Sequence, residues 1–143
     1  MLLTSDKAEQ WMRVARAISK MGTCPRRQVG ALILSSRGHI LATGYNGMPS
    51  GMVACQDSPC DGLGRPSGEG LDRCLAVHAE QNALLQCLDI QDARVLITTT
   101  SPCMHCLKML LNTPITDIVY DKVYQMEPLL LWFNLKRNYG EVT

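Results

Sequence analysis

The residues that could carry chemistry lie in two short segments near the middle of the chain. The sequence reads His-Ala-Glu from position 78 and Pro-Cys-Met-His-Cys from position 102. An imidazole and two thiolates are ligands that Zn²⁺ binds well, and three protein ligands leave a fourth position for water. A nearby carboxylate that does not bind the metal can move the protons of a hydrolysis. We therefore expect a catalytic zinc at His78, Cys103 and Cys106, with Glu80 as the catalytic acid and base.

The spacing of these groups indicates that two helix N-termini meet at the metal. Cys103 and Cys106 are three residues apart, so they lie on one face of the first turn of a helix. The amides and the dipole at that end favour thiolates. His78 and Glu80 would diverge by about 200° on a regular helix, so both can face one point only beyond its N-terminal end. His105, which stands between the cysteines, is expected to point elsewhere.

The remaining pattern predicts a single α/β domain over residues 1–143. An amphipathic helix is expected over 6–21, with a capping box at Asp6 and Glu9. The other predicted elements follow in order: strands 28–35 and 40–45, helix 77–88, strand 94–100, helix 103–111, strand 117–120 and helix 126–137. Alternation of strands and helices after residue 77 indicates at least partly parallel pairing. The polar stretch 46–73 has little periodicity and predicts a long loop, of the kind that is either functional or disordered.

The composition argues against several classes of protein. A chain of 143 residues with 46% hydrophobic and 19% charged residues is ordinary for one globular domain. Its net charge of +1 gives no electrostatic reason to bind nucleic acid. No apolar run approaches the roughly 18 residues of a membrane span, and the first residues lack a charged leader. We therefore expect a cytoplasmic protein (host cytosol if viral), whose seven cysteines bind metal or stay buried.

Four blocks of the sequence resemble the deoxycytidylate (dCMP) deaminase family, including its viral and phage members. They are residues 26–31, 44–51, 78–83 and 100–103, and the pattern H-x-E…P-C-x-x-C is typical of zinc-dependent base deaminases. The resemblance implies the cytidine-deaminase-like fold, a three-layer α/β/α sandwich around a mixed five-stranded sheet. It also implies zinc-dependent hydrolysis of dCMP to dUMP and ammonia, which supplies dUMP for thymidylate synthesis. Many members are homohexamers activated by dCTP and inhibited by dTTP, with Mg²⁺ accompanying the effector.

The glycine-rich block 44–51 is assigned to the nucleotide by the same resemblance. Glycines let the backbone approach a ligand closely, and Asn46 offers both a donor and an acceptor to a sugar hydroxyl. The resemblance implies that Asn46 contacts the sugar of the substrate. In regulated members the effector would be bound by Gly44, Asn46, Gly47 and Gly51. The alternative is an ordinary turn at the exit of a hairpin.

A monophosphate substrate needs cationic or amide partners. Two loops that could flank the pocket carry such groups, although an exposed cation is more often only solvated. The predicted phosphate-binding residues are Arg26, Arg27, Lys122 and Tyr124. Ala79 and Ser101, inside the matching blocks, complete the predicted substrate-binding set.

Four further cysteines raise the question of a second metal. Cys24 and Cys55 resemble in position two ligands of a structural zinc that some viral members hold, and Cys60 and Cys74 follow in the same polar loop. Such a loop has little apolar surface, so a metal would order it. The spacing of Cys55 and Cys60 is wide for a zinc knuckle, which leaves unpaired thiols or a bound pair as alternatives. Cys87 is expected in the core.

Two alternative functions remain at the level of sequence. One is deamination of another substrate, such as dCTP, cytidine or deoxycytidine, or of guanine or adenosine in tRNA. A nucleoside enzyme would not need cations that bind phosphate, and a tRNA enzyme should be more basic. The choice between dCMP and dCTP depends on the geometry of the pocket. The other is a catalytically silent zinc or nucleotide-binding module. Glu80 argues against that alternative, because a purely structural site has no use for its carboxylate.

Overall fold

The computed structural model describes residues 2–55, 66 and 74–142. Strands and helices alternate after the first hairpin, as the sequence predicts. The elements of the described residues are α1 Ser5–Ser19, β1 Gly30–Ser35, β2 Ile40–Tyr45, α2 Ala79–Gln86, a short 3-10 helix Ile90–Asp92, β3 Ala93–Thr100, α3 Met104–Leu111, β4 Asp117–Lys122, α4 Met126–Asn134 and β5 Asn138–Glu141.

The five strands form one mixed sheet in the order β2-β1-β3-β4-β5. β1 pairs antiparallel with both β2 and β3, whereas β3, β4 and β5 run parallel. The parallel half is connected through α3 and α4, as strand–helix–strand units require. The predicted mixed five-stranded sheet is confirmed.

The alternating side chains of the sheet bury two separate apolar clusters. On one face, Met12 and Ala15 of α1 pack against a cluster from the three central strands, namely Leu32, Leu34, Val95, Ile97 and Val119. The opposite face is covered by α2, α3 and α4, whose apolar residues pack on Ala31, Ile33, Leu96, Ile118 and Tyr120. Neighbouring strand residues therefore point to opposite helix layers, as a pleated strand dictates. The predicted three-layer α/β/α sandwich is confirmed.

Two glycines let helices approach the sheet closely. A Cβ atom on Gly44 of β2 would lie 2.2 Å from the carbonyl oxygen of Ala79, and one on Gly30 of β1 would lie 2.2 Å from that of Ala15. No side chain fits at either position, so α2 rests directly on β2 and α1 directly on β1. The contact at Gly44 fixes the start of α2, where the first predicted metal ligand stands.

The predicted N-terminal cap of α1 is wrong. The helix is capped by Thr4, whose side chain accepts a hydrogen bond from the Lys7 amide at 3.4 Å, and Asp6 already lies inside the first turn. Asp6 therefore faces the positive end of the helix dipole rather than acting as the cap.

The end of α4 also differs from the sequence expectation. The helix ends at Asn134, and Lys136 adopts a positive φ of 60°, so the chain turns into β5 within the range predicted as helix. No helix in the described part of the chain is long and apolar enough to cross a membrane.

Candidate active site

The N-termini of α2 and α3 meet at one edge of the sheet. His78 is the N-cap of α2 and Cys103 is the N-cap of α3, which places Glu80 and Cys106 in the first turns of these helices. The Gln81 side chain accepts a hydrogen bond from the His78 amide at 2.8 Å and so fixes the entry to α2. His78 with Glu80, and Cys103 with Cys106, thus lie at helix N-terminal ends. His78 and Glu80 can therefore face one point, although they would diverge on a regular helix.

The three predicted metal ligands form a compact group. His78 Nδ1 lies 3.3 Å from Cys106 Sγ and 3.5 Å from Cys103 Sγ. All three ligating atoms lie within 4.8 Å of one another, and this is the one such group of three or more in the described residues. A tetrahedral zinc separates a nitrogen and a sulfur ligand by about 3.5 Å. The three side chains therefore fit zinc, with Nδ1 as the histidine donor.

The charges in this group are those of a site prepared for a cation. A hydrogen bond from Cys106 lowers the pKa of Cys103 well below that of a free thiol, which favours its thiolate form. The same contact, with burial, raises the pKa of the Cys106 thiol. The pKa of His78 is raised, chiefly by its hydrogen bond with Cys103. A divalent cation would take the place of the protons shared among these three groups.

Glu80 lies beside the ligands as a buried carboxyl group. The residue is 4% exposed, and Thr98 Oγ1 donates a hydrogen bond to Glu80 Oε1 over 3.0 Å. Burial raises the pKa of Glu80, while contacts with Cys106, His78 and Thr98 oppose that effect. A carboxyl group with a raised pKa, next to a metal site, is suited to accept and return protons near neutral pH.

These groups line a pocket of about 660 Å³, including its open mouth. Its wall combines the site residues with groups from the start of β1 and the ends of β3 and β4. The pocket residues that the sequence assigned to the substrate are Arg26, Arg27, Asn46, Ala79, Ser101 and Tyr124.

Asn46 is bonded to the backbone of the pocket wall on both sides of its amide. Its Oδ1 accepts from the Val29 amide at 2.8 Å, and its Nδ2 donates to the Arg27 carbonyl at 2.8 Å. The residue is 7% exposed. Asn46 therefore holds the segment that carries the two arginines to the pocket. Sequence reasoning assigned it to the sugar and to an effector and missed this role in the pocket wall.

Arg27 and Tyr124 form a paired wall of the pocket. The guanidinium of Arg27 lies 4.4 Å from the centre of the Tyr124 ring, a cation–π distance. Ser101 Oγ accepts a hydrogen bond from the Tyr124 amide at 2.8 Å, which ties the ring to the end of β3. Within the described residues, the buried Tyr124 Oη has no hydrogen-bond partner. A polar atom of a substrate would satisfy it.

Of the other two cations predicted to bind the phosphate, Arg26 lies in the pocket and Lys122 does not. Arg26 lines the pocket, and its guanidinium donates to the Pro66 carbonyl. Lys122 is exposed at the end of β4 and is not among the pocket residues. Its contribution is the backbone carbonyl, which accepts from the Ser101 amide at 2.8 Å.

None of the three glycines predicted for the effector lines this pocket. Gly44 is covered by α2, as described above. Gly47 exchanges backbone hydrogen bonds with Val77 and so ties the loop to the start of α2. Gly51 has a positive φ of 86°, which glycine adopts without strain. An effector role for these residues stays a prediction.

Of the cysteines predicted to hold a second zinc, the three described ones, Cys24, Cys55 and Cys74, do not form a compact group of three potential ligands. Cys24 and Cys74 line the pocket, whereas Cys55 is buried with its Sγ 4.0 Å from Met48 Sδ. Cys60 lies outside the described residues. A second zinc therefore stays a prediction. Cys87 packs in the core below α2, which confirms that expectation.

Sequence reasoning missed Thr98 and Thr100 of β3. Thr98 contacts Glu80, and Thr100 lines the pocket. The signal was the run of three threonines before Ser101, because alternate strand residues share a face. His105 is exposed between the two cysteines, as expected, and is not part of the metal-binding group.

Comparison with known proteins agrees with this geometry. Residues 5–122 match the family described as the cytidine and deoxycytidylate deaminase zinc-binding region. The chain is 36% identical over 124 residues to the deoxycytidylate deaminase of Mycobacterium phage D29, covering 82% of this chain and 95% of the relative. It is 34% identical over 121 residues to the deoxycytidylate deaminase of Schizosaccharomyces pombe, but these residues make up 37% of that longer protein.

A solved structure extends the likeness to the whole fold. The dCMP deaminase of cyanophage S-TIM5, in complex with dCMP and dUMP, superposes with a TM-score of 0.76 at 27% identity. The match covers 97% of this chain and 98% of that one. The ligand geometry, the sheet order and these relatives agree, and the chain belongs to the cytidine and deoxycytidylate deaminase family.

Proposed function

We propose that the protein is a zinc-dependent hydrolase that converts dCMP to dUMP and ammonia. One observation carries the proposal: a buried carboxyl group, Glu80, lies beside a zinc-fitting His-Cys-Cys group in a pocket that also contains two arginines. The similar phage D29 protein is named a deoxycytidylate deaminase, and the cyanophage protein binds dCMP and dUMP. The product dUMP would supply thymidylate synthesis.

Glu80 moves the protons of the proposed reaction. Zinc held by His78, Cys103 and Cys106 would supply an activated water for attack on C4 of the cytosine. Glu80 accepts the proton released from that water and passes it to N3 of the ring, which makes C4 more electrophilic. Glu80 then takes the second proton of the attacking water and delivers it to the amino group, so the bond from C4 to nitrogen breaks, ammonia leaves and the C4 carbonyl of dUMP forms. Burial of Glu80 excludes competing water from these transfers.

The pocket wall supports recognition of a deoxynucleoside monophosphate. Arg26 and Arg27 bring two cations to one side of the pocket, and the Tyr124 hydroxyl adds a donor. We assign these groups to the phosphate, because charge-assisted hydrogen bonds are the strongest available there. Asn46 retains hydrogen-bonding capacity beyond its two backbone bonds and is assigned to the sugar. Ala79 and Ser101 lie beside the metal ligands, where the base would bind.

The first experiment follows deoxyuridine product and ammonia from dCMP, dCTP and deoxycytidine in parallel. Turnover of dCMP alone, abolished by Glu80→Gln, would establish the reaction and the monophosphate preference. Comparable turnover of dCTP or deoxycytidine would favour the alternative of another cytosine substrate. If zinc-loaded wild-type protein turned over none of the three, the cytosine assignment would be wrong, and guanine and tRNA would be tried next.

A homo-oligomer, a hexamer by family resemblance, is part of the proposal. The helix layer α2–α4 exposes several large apolar side chains, among them Leu85 at 73%, Leu88 at 94% and Phe133 at 60%. Monomeric proteins seldom expose a large apolar surface without a partner. Light scattering coupled to size-exclusion chromatography measures the mass directly. A monomer at working concentration would contradict the proposed oligomer.

Regulation and the second zinc are proposed as separate hypotheses. Activation by dCTP and inhibition by dTTP, with Mg²⁺, would appear as changes in the dCMP saturation curve. A second zinc at Cys24, Cys55, Cys60 and Cys74 would appear as two zinc ions per chain, falling to one in Cys60→Ser. A cytosolic location is likewise a proposal, supported by the nature of the expected substrate.

A further inference from the structure

Thr98 lies in the centre of the sheet and contacts Glu80 from within β3. It is fully buried, and its backbone is paired with Ala31 on one side and Tyr120 on the other. Its Oγ1 lies 3.0 Å from Glu80 Oε1 and 2.9 Å from the carbonyl oxygen of Thr100. The backbone of Thr98 is therefore held by both neighbouring strands, and its hydroxyl has two acceptors within hydrogen-bond distance.

A threonine hydroxyl carries one proton, so it donates to one of these acceptors at a time. An ionised carboxylate is the stronger acceptor, and it draws the proton towards Glu80. Because the backbone of Thr98 is held between two neighbouring strands, this contact keeps Glu80 Oε1 at a fixed place in the site.

We propose that Thr98 is a positioning residue for Glu80. Its hydroxyl fixes one carboxyl oxygen, which leaves the other to exchange protons with the substrate. This inference rests on the proposed function, because Glu80 needs a fixed orientation only if it moves protons. A group held by a neighbour in this way reaches the reacting atoms without reorganisation during each transfer.

The neighbouring Thr99 offers a matched control. It is also buried, and its Oγ1 accepts a hydrogen bond from the Gly30 amide at 3.1 Å. Substitution of either residue by valine removes one buried hydroxyl of the same strand at nearly constant volume. Only the change at position 98 removes a contact to Glu80, so the two variants separate a structural effect from a positioning effect.

The test measures kcat and KM for dCMP, zinc content and melting temperature in Thr98→Val, Thr98→Ser and Thr99→Val. We expect Thr98→Val to lower kcat by about 10- to 100-fold with KM nearly unchanged, in the range of other supporting contacts. Thr98→Ser should restore most of the rate, since it keeps the hydroxyl. Thr99→Val should lose about as much thermal stability as Thr98→Val and keep the wild-type kcat. Full activity of zinc-loaded Thr98→Val, or equal loss in Thr99→Val, would overturn the proposal.

Failure of the proposed function is recognised separately. If wild-type protein does not turn over dCMP, the reaction assignment falls whatever the variants do. The positioning role is then decided by crystal structures of zinc-loaded wild-type protein and Thr98→Val. A Glu80 carboxyl group that changes its orientation in the variant supports the role, and one that stays in place overturns it.

Discussion

Gly44 of β2 is in direct backbone contact with Ala79 of α2. A Cβ atom at position 44 would lie 2.2 Å from the Ala79 carbonyl oxygen and 2.5 Å from the Ala83 amide nitrogen. Both neighbours are backbone atoms of one helix, so they can yield only if the helix moves. Because α2 begins between His78 and Glu80, this contact sets the position of the metal ligand and of the catalytic carboxyl group together.

The first prediction concerns Gly44→Ala. We expect the added methyl group to push the start of α2 off the sheet, at a cost of about 1–3 kcal/mol in unfolding free energy. Zinc affinity should fall as well, because His78 moves away from Cys103 and Cys106. Competition with a chromogenic chelator measures the affinity, and chemical denaturation measures the stability.

Gly30→Ala is the matched control for this change. It creates the same clash between β1 and α1, where a Cβ atom would lie 2.2 Å from the Ala15 carbonyl oxygen. We expect a comparable loss of stability with zinc affinity retained in the folded protein, since α1 carries no proposed ligand. Equal zinc affinity in both variants would contradict the role assigned to the Gly44 contact.

The second prediction distinguishes the ligands from the histidine between them. Cys106→Ser should lose bound zinc and activity, because the buried Sγ lies 3.3 Å from His78 Nδ1. His105→Ala should keep both, since His105 directly precedes Cys106 in the chain but its side chain is exposed. Metal analysis of purified protein after dialysis measures zinc per chain. Loss of zinc in His105→Ala would require a different ligand set.

The metal site follows from the sequence because its spacing is a helix-capping spacing. An N-cap and a residue in the first turn face the same point beyond the helix end, which fixes Cys103 and Cys106 and, at α2, His78 and Glu80. Only local geometry is needed for that inference. That the two helix ends meet was inferred from the diverging directions of His78 and Glu80.

β5 could not be predicted from its residues. Asn138–Glu141 is short and partly exposed, and it contains a glycine, so no apolar alternation marks it. Its order comes from distant partners: Tyr139 stacks on Tyr120, with 6.3 Å between ring centres, and meets Phe133 edge-on. These contacts exist only once α4 is placed, which is information that no local pattern carries.

The end of α4 was mispredicted for a similar reason. The apolar pattern continues through Leu135, but Arg137 turns back and donates to the carbonyls of Leu110, Leu111 and Ile115. Its guanidinium therefore donates to backbone carbonyls in the last turn of α3 and in the segment that follows it. That tertiary contact outweighs the local preference for helix.

The third prediction compares Arg27, which lines the pocket, with Lys122, which the sequence also assigned to the phosphate but which lies outside the pocket. Arg27→Met should raise KM for dCMP by about 10- to 100-fold, the equivalent of one or two charge-assisted hydrogen bonds. Turnover of deoxycytidine, which has no phosphate, should change much less. Lys122→Met is the control, and we expect wild-type KM because that side chain lies outside the pocket. An increase in KM for Lys122→Met alone would reverse the assignment.

The fourth prediction concerns the pH dependence of stability. Arg16 of α1 donates to both carboxyl oxygens of Asp121, Nε over 3.0 Å and Nη2 over 3.1 Å. This contact lowers the pKa of Asp121 from its ordinary value of 3.8. The ion pair therefore stabilises the folded protein fully above pH 3.8 and loses its contribution as the pH falls through the lower folded value. Both side chains are partly exposed, so we expect about 0.5–1 kcal/mol.

Asp121→Asn tests this sign directly. At pH 7 the variant should be less stable than wild-type protein by the amount given above, and the difference should shrink in high salt because the pair is partly exposed. The difference should also decrease as the pH falls below the ordinary pKa of aspartate, since both proteins then lack the ion pair. Parallel denaturant titrations at several pH values measure it. A difference that grows towards acid pH would mean that Asp121 stabilises the fold in its protonated form.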